Sequence, residues 1–70
     1  MIVLDLIKML RRVHFSDETI IQIREIENFK SVGTHELANA NKFDDDVLEM
    51  TVVRVKAIGD NKITVWAQFE

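Results

Sequence analysis

Seventy residues suffice for one small domain, and a hydrophobic share of 47% permits a compact but thin core. The chain has no cysteine, which excludes disulfide staples and thiolate metal sites and fits a cytoplasmic protein. The net charge of −3 divides into +2 over residues 1–14, −6 over 15–49 and +1 over 50–70; this excludes an overall nucleic-acid-binding charge but leaves room for a basic face on an acidic body.

Residues 2–13 read as an amphipathic helix, because Val3, Leu6, Ile7, Leu10 and Val13 recur at three- and four-residue spacing. Asp5 near its start and Arg11 and Arg12 near its end suit the helix dipole. Asp5 also interrupts the apolar run with no basic segment before it, so no secretory leader is expected, and no apolar run is long enough to span a bilayer. Residues 19–25 are rich in β-branched side chains and read as a strand with Ile21 and Ile23 inward and Gln22 and Arg24 outward. The competing assignment is a helix from Ser16 with Ile20, Ile23 and Ile26 on one side. Ile26, Glu27 and Asn28 then form a turn, with Asn28 tolerant of tight backbone conformations. Phe29–Val32 makes a short strand ending at Gly33. In the acidic stretch that follows, Thr34–Ala40 reads as a helical turn or two. Asp44, Asp45 and Asp46 begin a second short helix, one of them capping free N–H groups.

The last third carries the clearest signal, two β-rich runs around Gly59, Asp60 and Asn61. A three-residue loop sets Ile58 opposite Lys62 and places Ala57 with Ile63, Val55 with Val65, Val53 with Ala67 and Thr51 with Phe69 on one largely apolar face. The other face pairs Lys56 with Thr64, Arg54 with Trp66 and Val52 with Gln68. A two-residue loop mixes the faces, so burial selects the longer one, with Asn61 left-handed. Ile63–Phe69 is expected as an edge strand, with no proline and few charges to stop a symmetry mate or a partner strand from pairing with it; this is a route to homo-oligomers.

The expected fold class is α+β, an N-terminal helix packed on a small, mostly antiparallel sheet of three or four strands with a C-terminal β-hairpin. Its expected core is Val3, Leu6, Leu10, Ile21, Ile23, Leu48, Val53, Val55, Ile63 and Val65. The alternative is a winged helix, in which residues 16–28 are helical and the hairpin is the wing.

Chemistry is sparse. His14 and His35 lack metal-ligand spacing, and read as a helix-end cation and an exposed loop residue. Asp44–Asp46 are not followed by the alternating oxygens and central glycine of a calcium loop. Ser16 and Ser31 lack a nucleophile elbow, and Gly33 and Gly59 form no phosphate cradle. Neither an enzyme nor a cofactor is expected. The candidate interaction surface is the outer hairpin face bearing Arg54, Lys56, Lys62 and Trp66. Such a face is self-covered through an Arg54–Trp66 cation–π pair, or docks a protein, or holds single-stranded nucleic acid by phosphate contacts and stacking. Trp66 also has the option of packing under residues 34–46.

Leu4–Leu10, Ile21-Gln22-Ile23, Phe29 with Gly33, and the segment from Leu48 to Val65 together resemble a diffuse class of short proteins encoded by phages and mobile elements of Gram-positive bacteria. The chain departs from that pattern in a longer polar segment at 38–46. The resemblance implies a small accessory protein of the bacterial host cytoplasm that acts by binding another protein. A nucleic-acid-binding module using the hairpin face or a winged-helix surface is the alternative.

Overall fold

The computed structural model describes residues 1–13, 15–59 and 61–69. One helix, α1 (Val3–Arg12), precedes the strands β1 (Ile20–Glu25) and β2 (Lys30–Glu36). A 3₁₀ segment (Leu37–Lys42) and the single turn α2 (Asp45–Leu48) lead into the hairpin β3 (Thr51–Ile58) and β4 (Lys62–Gln68). The class is α+β. The winged-helix alternative fails because residues 20–25 form a strand: β-branched side chains at Ile20, Ile21 and Ile23 fit a pleated surface better than a helix.

The four strands form one sheet in the order β2-β1-β4-β3. β1 pairs antiparallel with β2 and parallel with β4, and β3 closes the hairpin antiparallel to β4. Hence β4 is an interior strand, not the edge that its composition suggests, and the edges are β2 and β3. Burial on both faces follows from that position. Ile63, Val65 and Ala67 point toward the helices, and Thr64 on the other face is 3% exposed.

Side-chain rows run across the helix-facing side. One row is His35, Ile21, Ile63 and Ala57; the next is Gly33, Ile23, Val65 and Val55. Val3, Leu6, Ile7 and Leu10 of α1 cover them, together with Leu37, Ala40, Phe43, Val47 and Met50 from the acidic stretch. Val13 lies past the helix end and is exposed, and Leu48 is only partly buried. The opposite face has no second layer among the described residues. On that face Thr64 is buried and Arg54 lies over the Trp66 ring.

Gly33 lies within β2, which runs on through Thr34, His35 and Glu36, so the helical turn begins at Leu37. A Cβ at Gly33 would meet the Phe43 ring at 2.7 Å, so the missing side chain is what lets the ring lie on the strand. Asp44 holds the N-cap position of α2 without a side-chain cap bond; Asp45 and Asp46 occupy the first turn, where their charge suits the dipole. In the hairpin the expected register holds from Ile58–Lys62 to Arg54–Trp66. A bulge at Val53 then sets Val52 opposite Ala67 and Thr51 opposite Gln68. Val53, expected in the core, is therefore squeezed out and 52% exposed. Gly59 is left-handed at φ 68°, because a residue without Cβ reaches that region at no steric cost; the backbone expected to be left-handed at Asn61 adjoins Asp60, which lies outside the described residues.

The β1–β2 turn differs from expectation in a testable way. Phe29, not Asn28, carries the positive φ, 53°, and its side chain is 73% exposed. Arg24 Nη2 donates to the Phe29 carbonyl at 2.9 Å, and Asn28 Nδ2 donates to Glu25 Oε1 at 3.1 Å, so polar contacts hold the turn while the phenyl ring contributes little. A left-handed L-residue costs about 1–2 kcal/mol, partly offset in glycine by its greater unfolded entropy of about 0.5–1 kcal/mol. Phe29→Gly is expected to stabilise the domain by about 0.5–1 kcal/mol, raising Tm by several degrees in thermal unfolding. A lower Tm would show that the ring packs in solution.

Candidate interaction edge

The four hairpin residues singled out above share one outer face: Arg54 and Lys56 are on β3, with Trp66 beside Arg54 on β4. Lys62 lies on the same side at the loop end, opposite Ile58. The Arg54 guanidinium carbon is 5.5 Å from the centre of the Trp66 ring, a cross-strand cation–π pair. Trp66 is half-buried on the side of the sheet away from residues 34–46, which rules out packing beneath that segment. Arg54 thus covers the Trp66 ring, while Arg54, Lys56 and Lys62 are themselves exposed.

The feature that sequence reasoning missed is the side edge of β3. The helical layer is anchored at both ends. Val3 N–H donates to the Met50 carbonyl at 2.9 Å and Ile2 bridges Thr51, so α1 begins over the start of β3. Arg11 Nη2 donates to the Leu37 carbonyl at 3.3 Å, so the other end of α1 lies with the 3₁₀ segment that leaves β2. The helix therefore crosses the sheet diagonally, away from the second half of β3. Burial along the row Ile23, Val65, Val55 falls off at that border: the first two are sealed, and Val55 is 42% exposed. Ala57, in the next row, is exposed, and Ile58 is 50% exposed on the outer side.

Met1 and Ile2 cover the first part of the β3 edge, where Val52 N–H donates to the Met1 carbonyl at 2.9 Å. The bulge occupies Val53. From Arg54 to Ile58 no strand among the described residues lies beyond β3. This stretch combines a backbone edge, half-exposed apolar side chains on the helix side and two cations on the outer side. A clue was present in the sequence: Arg54 and Lys56 alternate with Val55 and Ala57, the charged patterning typical of edge strands.

No family model, curated protein or solved structure matches the chain.

Other groups converge less. His35, expected in an exposed loop, is half-buried on β2 and meets the Phe43 ring edge-on, with centroids 4.6 Å apart. His14 lies outside the described residues. No cluster of three or more histidine, aspartate or glutamate side chains able to hold a metal occurs among the described residues. A shallow groove between α1 and α2 brings together Lys8, Arg11, Asn41 and Asp45, a set without a nucleophile and its base. No helix among the described residues is long and apolar enough to cross a membrane.

Proposed function

We propose that this chain is a small non-enzymatic accessory protein of a phage or mobile element, which acts in the cytoplasm of a Gram-positive host by binding another protein. The observation that carries the binding role is the uncovered second half of β3, where an apolar helix-side row ends half-exposed at an open strand edge. Main-chain hydrogen bonds and side-chain pockets at such an edge are a recurrent means of capturing extended segments. The phage or mobile-element setting rests on the resemblance carried by Leu4–Leu10, Ile21-Gln22-Ile23, Phe29 with Gly33, and Leu48 to Val65. The nucleic-acid alternative is weaker, because Arg54 already lies over the one tryptophan ring a base would stack upon.

The test is affinity capture from a Gram-positive host lysate with the wild-type chain and with the double variant Val55→Lys, Ala57→Lys. Both positions are exposed enough that circular dichroism and Tm are expected to change little, within about 0.5 kcal/mol. A protein retained by wild type and lost by the variant is the expected outcome. Identical capture by both, or a salt-sensitive mobility shift of DNA or RNA by the wild-type chain, would overturn it.

A further inference from the structure

We infer that the free edge of β3 takes up an extended acidic segment of a partner protein, a strand in which carboxylates alternate with β-branched apolar residues. This rests on the protein-binding role proposed above and specifies the partner's chemistry.

The first consideration is length. With Met1 and Ile2 at Thr51 and Val52, and the bulge at Val53, the open edge runs from Arg54 to Ile58. That is enough for a short added strand and too little for an extensive ladder, so side chains must supply selectivity. On the helix side Val55 and Ala57 continue rows that are sealed at Val65 and Ile63, and an apolar residue on the added strand would extend each row by one place. On the outer side Arg54 and Lys56 stand exposed, with Lys62 one strand further in.

Charge then separates the occupants. A second copy of the chain pairing antiparallel about a twofold axis would set Lys56 opposite Lys56 in the register that overlaps the whole edge. Centring the axis on Val55 sets Arg54 opposite Lys56 twice. Centring it on Ala57 avoids this but leaves only Lys56, Ala57 and Ile58 in the ladder. Like charges directly opposite one another across a ladder are destabilising, and opposite charges stabilise. The cations that oppose self-pairing therefore favour a strand with carboxylates opposite Arg54 and Lys56. Arg54 remains able to bind a carboxylate through the edge of its guanidinium while its face covers Trp66.

The experiment titrates the ¹⁵N-labelled wild-type chain with the capped peptide Thr-Glu-Val-Glu-Val-Glu-Thr, and with versions carrying glutamine or lysine in place of every glutamate. The acidic peptide is expected to shift the amide resonances of Arg54–Ile58 and slow their hydrogen exchange, and to bind about tenfold more tightly than the lysine peptide. Its affinity should fall as salt is raised. Equal binding of the acidic and glutamine peptides would overturn the acidic preference and leave edge docking intact. If no peptide shifts these resonances, edge docking fails as well. Concentration-dependent dimerisation with protection of the same amides would assign the edge to a second copy and overturn the proposal.

Discussion

Ile23→Ala is expected to destabilise the domain by about 3–4 kcal/mol, within the range for truncating a sealed aliphatic side chain. Ile23 is 0% exposed on an interior strand, between Gly33 and Val65 and beneath the helical layer. Two rigid strands flank it, so the cavity has little means of collapse. Stability of about 0.05–0.15 kcal/mol per residue gives a chain of this length roughly 4–10 kcal/mol in total, so the loss would remove a third or more of it. In urea, the midpoint should fall with little change in slope. The informative control lies in the same row: Val55→Ala should cost well under 1 kcal/mol, because Val55 is 42% exposed and its removal leaves an open surface. Equal losses at Ile23 and Val55 would mean that the helical layer extends over β3 in solution, and the interaction edge proposed above would then not exist.

That border was only partly legible in the sequence. The helix face of α1, the inward pair Ile21 and Ile23, the three-residue hairpin loop and the Arg54–Trp66 pair all follow from local periodicity and turn chemistry. Strand order does not. The hairpin pairs β4 with β3 by itself, but nothing local indicates that β1 joins β4 in parallel on its other side and makes it an interior strand. Thr64 was the residue that could have warned of this: a threonine amid Ile63, Val65 and Trp66 continues an unbroken β-rich run, the pattern of a strand covered on both faces. The acidic stretch hid its core contribution in another way. Leu37, Ala40, Phe43, Val47 and Met50 recur at spacings of three, three, four and three, a helical period obscured by the density of aspartate and glutamate around it. Of these, Leu37 and Ala40 belong to the 3₁₀ segment packed on β2 and β1 and Phe43 lies against Gly33 of β2, so this part of the helical layer leaves the second half of β3 uncovered.

Phe43 offers the second large effect and a change of sign. Its ring is 4% exposed, lies against Gly33 and meets the His35 ring edge-on, so Phe43→Ala is expected to cost about 3–5 kcal/mol. Gly33→Ala alone should cost about 1–3 kcal/mol, because the new methyl would come within 2.7–2.8 Å of two carbons of a buried ring. In the Phe43→Ala background the ring is gone. Gly33 is not left-handed and sits inside a strand, so a Cβ there is compatible with the backbone and reduces unfolded-state entropy. Gly33→Ala should then stabilise the truncated variant by about 0.5–1 kcal/mol, reversing its sign between the two backgrounds. A double-mutant cycle by chemical denaturation measures this directly. An equal cost in both backgrounds would place the constraint on Gly33 in the β2 backbone itself, and Phe43 would then not be what requires a glycine there.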